Sequence, residues 1–186
     1  MSSLSASSTV VWLLAETEAR HLNASKIEAT HLFLGICKAV DVDLTELVSK
    51  DSPNRDEILE ELLREVRKLR TVFRVASVNA KALRRRLRGA SPKGRFSFPE
   101  SERLRRSSAA KQIFADAEHF AQVSNGTVYP VHLLYATMLA EDEDRDATFA
   151  ELKINKKRLL SVAKREVLTF QIGSASQTRA ARARWN

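Results

Sequence analysis

A single cysteine, Cys37, stands in a chain of 186 residues. It cannot form an intramolecular disulfide, which fits a reducing compartment. Glycine and proline are scarce, at 5 and 4 residues, and the abundant Leu, Ala, Glu, Lys and Arg argue for helices rather than sheets. No uncharged apolar run approaches the roughly 20 residues that a membrane-spanning helix needs. The opening Met-Ser-Ser-Leu-Ser-Ala-Ser-Ser has no positive leader and no apolar stretch, so no secretory signal is expected. The expectation is a soluble, cytoplasmic chain. Phosphate-loop chemistry is missing too, because no Gly-x-x-x-x-Gly-Lys-Ser/Thr occurs. Neither a nucleophile elbow nor a His-Glu-x-x-His helix is present. No cofactor, metal or enzymatic activity is expected.

What is there is an apolar content of 44%, enough for a sizeable core in one domain or in two small halves sharing one. The formal net charge is +8 and is unevenly spread. Residues 64–106 carry 15 Lys or Arg against 3 Glu, a net of +12, which leaves −4 for the remainder despite three arginines near the end.

Periodicity predicts a first helix over 9–22, with Ser7 or Ser8 as its cap. Ala15 and Ala19, four apart, form a narrow face that lets another helix approach closely. A second helix over 29–40 is apolar nearly all round and is expected to be buried. A short helix over 43–48 follows. Ser52-Pro53 then opens a long amphipathic helix, where Ile58, Leu59, Leu62, Leu63, Val66, Leu69 and Phe73 recur at three and four. Its glutamates come early and its Lys and Arg late, as the helix dipole favours. Asn79 caps a helix over 80–87, and residues 89–100 read as a linker. Beyond it come a helix over 101–123, a turn at Asn125-Gly126 and a helix from Pro130 to Ala140. An acidic loop at 141–144, a short helix bearing Phe149 and Leu152, and a helix from Lys156 to about Phe170 capped by Asn155 complete the series. Residues 171–186 are expected to be a disordered basic tail.

Part of this order recurs. Ala15-Glu-Thr-Glu-Ala19, then Ile27-Glu-Ala-Thr-His31-Leu32, matches Ala117-Glu-His-Phe-Ala121, then Val128-Tyr-Pro-Val-His132-Leu133. The offset is 102 residues at the alanines and 101 at the His-Leu step. Val78-Asn79-x-x-x-Leu83 likewise matches Ile154-Asn155-x-x-x-Leu159. Such duplication marks two copies of one supersecondary unit, each unable to bury its apolar face alone.

These duplicated residues resemble the amino-terminal domain of Clp-type unfoldases, the ATPases that feed proteins to a protease or a disaggregation pore. The resemblance covers residues 6–50 with 76–88, and 104–168. It implies an all-α domain over 1–170 built from two pseudo-symmetric four-helix repeats. Repeat one spans 6–88 with the long helix as an insertion at 51–75; repeat two spans 101–170. It also implies a docking module without chemistry of its own, whose partner is a substrate peptide, an adaptor, or a Clp-type ATPase or protease subunit. Two departures stand out. Family members keep a Glu directly before each His, and in some of them those glutamates recognise phosphorylated arginine. Here the positions are Thr30 and Val131, which offer no carboxylate to a guanidinium. The ATPase itself is missing; Met1 and the basic tail favour a stand-alone relative.

The candidate partner-binding residues are Glu28, Thr30, Tyr129 and Val131, in a groove between or beside the repeats. His31 and His132 lack a second ligand at i+3 or i+4, so helix-start hydrogen bonding is expected rather than metal binding. Cys37 reads as a buried, inert thiol. The acidic residues 141–146 lack the central Gly and closing Glu of a calcium loop. A basic patch is formed by Arg84, Arg85, Arg86, Arg88, Lys93, Arg95, Arg103, Arg105 and Arg106, with Phe96 and Phe98 between its arms. It could serve an acidic protein surface, nucleic acid, or solubility alone. The long helix either packs on the domain or meets a partner helix.

Overall fold

The computed structural model describes residues 3–49, 54–97, 99, 102–122 and 126–183, with side chains through residue 169. Ser52-Pro53, Phe98, Ser101, Val123 and Asn125 lie outside the described residues. The described chain is predominantly helical, in the order β1 (Ser3–Leu4), α1 (Ala6–His21), β2 (Lys26–Ile27), α2 (Ala29–Asp41), α3 (Arg55–Val75), α4 (Ala80–Ala90), β3 (Arg105–Arg106), α5 (Ser108–Ala121), β4 (Thr127–Val128), α6 (Pro130–Leu139), α7 (Glu143–Glu151) and α8 (Lys156–Ala183). A 3-10 turn at Leu44–Glu46 stands in place of the expected short helix. No helix among the described residues is long and apolar enough to cross a membrane.

Local chemistry sets the boundaries, and several differ from expectation. Helix α1 starts earlier than expected because Ser5 is its cap, accepting from the Ser8 N–H at 3.2 Å; Ser7 and Ser8 lie inside the helix and are buried. Helix α5 starts later than 101 because Ser107 is its cap, accepting from the Ala110 N–H at 3.1 Å. The residues before it are drawn into a strand pairing instead. The expected loop at 141–144 is shorter than that: Asp142 accepts from the Arg145 N–H at 2.9 Å and caps α7, which takes Glu143 and Asp144. Its carboxylates sit where the positive end of the helix dipole favours them. Helix α4 takes Gly89 and Ala90 from the expected linker and ends where the Ser91 N–H and hydroxyl both donate to the Leu87 carbonyl. The backbone of α8 continues as helix to Ala183, beyond the expected end near 170. Ala and Arg, strong helix formers, dominate its last turns.

Helices α1 and α2 make the most extensive contact in the molecule. A Cβ on Gly35 would lie 2.7 Å from both the Ala15 nitrogen and the Val11 oxygen. Ala15 and Ala19 are fully buried, so the narrow face does admit a close helix. Expected as an insertion, α3 nonetheless supplies Leu69, Val72 and Phe73 to the main core. Its Leu62 and Val66 form a smaller cluster with Leu44. The helix packs on the domain, touching α1, α2, α6 and α8.

The strands form two parallel pairs. β1 lies beside β4, with Ser3 opposite Thr127 and Leu4 opposite Val128. β2 lies beside β3, with Lys26 opposite Arg105 and Ile27 opposite Arg106. Thus the lead-in to α1 runs beside the lead-in to α6, and the lead-in to α5 runs beside the lead-in to α2. Between α1 and α5, Trp12 meets Phe114 edge-on at 5.6 Å.

Candidate docking cleft

Helices α2 and α6 begin with the same device. The Glu28 N–H donates to His31 Nδ1 at 2.9 Å, and the Tyr129 N–H donates to His132 Nδ1 at 3.0 Å. Each bond requires a neutral imidazole carrying its proton on Nε2. Burial pushes His132 down to about 4. Burial also lowers His31, against the opposing pull of Glu28, Glu18 and Asp142. The histidines are therefore used at helix starts. Burial pushes the Cys37 thiol far up, which keeps it protonated.

Glu28 and Thr30 line a cleft of about 320 Å³ together with Lys26, Ser91, Lys93, Phe96 and Asp144. The lining carries both signs of charge, the His31 imidazole and the Phe96 ring. The Thr30 hydroxyl donates to Asp142 Oδ2 at 2.7 Å, which ties the start of α2 to the cap of α7. Phe96 also walls a neighbouring cleft of about 330 Å³, between it and Arg20, His21 and Asn23. The other two candidates lie elsewhere. Val131 is only 2% exposed and belongs to the main core, so it cannot line a groove; its apolar side chain gains more from burial than from water. Tyr129 is half-buried and sits in the field of Glu65, Arg64 and Glu61 on α3. One groove shared by all four residues is not formed.

The basic segment is divided as well. Glu18 of α1 is completely buried. Arg84 Nη1 donates to its Oε1 at 3.1 Å, while Arg88 grips both carboxylate oxygens, at 2.7 and 2.5 Å. Burial drives the Glu18 carboxyl up, but the bonds and charges of Arg88 and Arg84 together outweigh it and hold the group below its ordinary 4.5. Arg86 donates to Glu151 of α7 at 2.6 Å. The Arg106 guanidinium lies over Phe114 at 5.0 Å and over Trp12 at 5.8 Å. Arg85, Lys93, Arg95, Arg103 and Arg105 are exposed. The expected patch is therefore not one free surface: α4 turns Arg84 and Arg88 inward to neutralise Glu18. A signal for this existed in the sequence. Glu18 falls between Ala15 and Ala19 on the buried face of α1, and a carboxylate there demands a partner. The roles of Lys26, Ser91, Phe96 and Asp144 in the cleft had no such signal, because the fold alone brings them together.

A scan against protein-family models finds no matching family, and a search of curated proteins finds no match. The class defined by fold and site is that of a predominantly helical protein with a mixed-charge surface cleft.

Proposed function

We propose that this chain is a non-catalytic docking module of the Clp amino-terminal type. On this reading it consists of two four-helix halves, α1–α4 and α5–α8, and binds a segment of a substrate, an adaptor, or a Clp-type ATPase or protease subunit. The observation that carries the reading is that residues at fixed offsets perform the same structural act. Ser5 and Ser107, 102 apart, cap α1 and α5. Their N–H groups donate to the carbonyls of Val128 and Ile27, each at 3.0 Å, in the opposite half. Glu28 and Tyr129, 101 apart, each hold a histidine. Asn79 and Asn155, 76 apart, cap α4 and α8 through the N–H groups of Ala82 and Arg158. The turns before them carry Ser77 and Lys153 at φ +60° and +54°, closed by the same pattern of backbone bonds. On this reading α3 is the third helix of the first half, lengthened at its N-terminal end, rather than an inserted extra.

The docking surface on this reading is the cleft at Glu28 and Thr30. Its opposed charges suit a peptide that offers both signs. The inward engagement of Arg84 and Arg88 with Glu18 takes two of the basic residues out of any free surface, which counts against nucleic acid as the main partner. The test is capture from cytosol on the immobilised full chain, with a Glu28→Lys/Asp144→Lys variant alongside. Enrichment of a Clp-type ATPase, protease subunit or adaptor is expected, and it should be lost in the variant while the far-UV circular dichroism stays unchanged. Capture of none of these overturns the proposal. DNA binding that falls steeply with salt and survives in the variant replaces it with a nucleic-acid reading.

A further inference from the structure

The segment after α4 crosses the surface as a strap. At one end Ser91 is bonded to the end of α4. At the other, Arg20 donates to the carbonyls of Pro99 and Glu102. Between these anchors, among the described residues, two backbone bonds tie it to the end of α1: the Gly94 N–H donates to the Leu22 carbonyl at 2.7 Å, and the Phe96 N–H donates to the Asn23 carbonyl at 3.1 Å. The acceptors lie just past the end of α1, where helices leave carbonyls without internal partners. Asn23, at φ +52°, turns the chain there. Donors two residues apart on the strap thus satisfy two carbonyls that the helix end leaves open.

Two features define what fits the acceptors. A Cβ at position 94 would lie 2.1 Å from the Asn23 oxygen, a backbone atom that no rotamer change can move aside. Glycine is required at the point of closest approach. Phe96, two residues on and 53% exposed, forms the wall shared by the two clefts. Residues 92–97 are all exposed, so little buried apolar area opposes their release.

We infer that residues 92–97 are a tethered pseudo-ligand covering a peptide-docking site on the end of α1. The partner that displaces them is an extended protein segment with glycine followed two residues later by an aromatic residue. Release of the strap removes the wall between the clefts and leaves one groove, running from Arg20 and Asn23 to Thr30 and Asp144. The tether keeps the strap at a local concentration on the order of millimolar, so weakly matching segments are excluded and only a better match opens the site. The inference rests on the docking reading, but its test uses no Clp protein, so failure of one is distinguishable from failure of the other.

The experiment uses the full chain and a synthetic peptide of residues 90–97. In wild type, the tethered strap competes with the peptide. In Gly94→Val the strap cannot seat, so the peptide is expected to bind about tenfold more tightly or better, with amide shifts centred on Asn23 and Ala24. A peptide carrying valine for the glycine is expected not to bind. Equal binding to both chains, or none to a folded variant, overturns the inference. Amide exchange in wild type gives an answer that needs no variant. Gly94 and Phe96 are expected to exchange by local opening, far faster than the α1 and α2 amides; protection equal to the core overturns the displaceable strap.

Discussion

Helices α1 and α5 start with the same serine cap and bury the same alanine pair, yet position 18 is Glu and position 120 is Phe. On α1 the gap toward α4 is bridged by Glu18 with Arg84 and Arg88. On α5, Phe120 packs against the core and meets Tyr135 at a tilt, with ring centroids 4.9 Å apart. Leu160 and Lys164 stand 76 residues after Arg84 and Arg88. Similar helix packing thus tolerates either a buried ion cluster or an apolar contact. A buried ion pair is not the stronger glue, because desolvating its charges offsets most of their attraction. It does demand completeness: each arginine removed leaves a carboxylate in a place water cannot reach.

The largest expected effect follows directly. An Arg84→Ala/Arg88→Ala variant leaves Glu18 buried and unpaired, and should cost about 3–5 kcal/mol. Thermal denaturation should show it as a drop of roughly 10 °C or more. Copying the second half, with Glu18→Phe, Arg84→Leu and Arg88→Lys together, should recover most of that loss. If the triple variant is as unstable as the double, the two halves are not interchangeable at this interface.

The histidines sharpen the same comparison. Burial lowers His132, whereas three carboxylates oppose the same effect at His31. An unfolded histidine takes its proton near 6.5, but native His132 resists until about 4. The folded state therefore binds fewer protons across that window, and stability falls as pH is lowered through it. The full loss is about 3 kcal/mol below pH 4. His132→Gln keeps an acceptor for the Tyr129 N–H and should remove this slope. In an imidazole titration followed by NMR, His31 should titrate above His132. The reverse order would mean that the acidic side of the first half does not reach its histidine.

Much of the framework was legible because it is local. The alternation of apolar residues marked α3, the Asn79 and Asn155 caps marked α4 and α8, and the all-round apolar 29–40 stretch marked a buried helix. Where expectation and structure part, either a different local cap or a non-local contact decides. Arg105 and Arg106 have good helix propensity, yet they extend because Lys26 and Ile27 offer backbone partners far away in sequence. Val131 occupies the position next to His132 that suggested a groove, but the turn of α6 sends it into the core. The basic segment looked uniform in sequence because charge counting is blind to direction. Only the orientation of α4 against α1 separates Arg84 and Arg88 from Arg85.

The smallest effect concerns the closest contact. Gly35 and Ala136 lie 101 apart and are buried on α2 and α6. Gly35 presses on the backbone of α1, where an added methyl would meet the Ala15 nitrogen and the Val11 oxygen at 2.7 Å. Neither atom can rotate away, so Gly35→Ala should force the α1–α2 pair apart at about 1–3 kcal/mol. Ala136→Gly creates no clash; it should cost about 1 kcal/mol through backbone entropy and lost packing. Urea denaturation of both variants separates the mechanisms, since overpacking and loosening differ in size at matched positions. Equal costs would show that the α1–α2 contact relaxes as freely as its counterpart. The glycine would then be no more than a tolerated residue, and the two halves would share their packing as well as their caps.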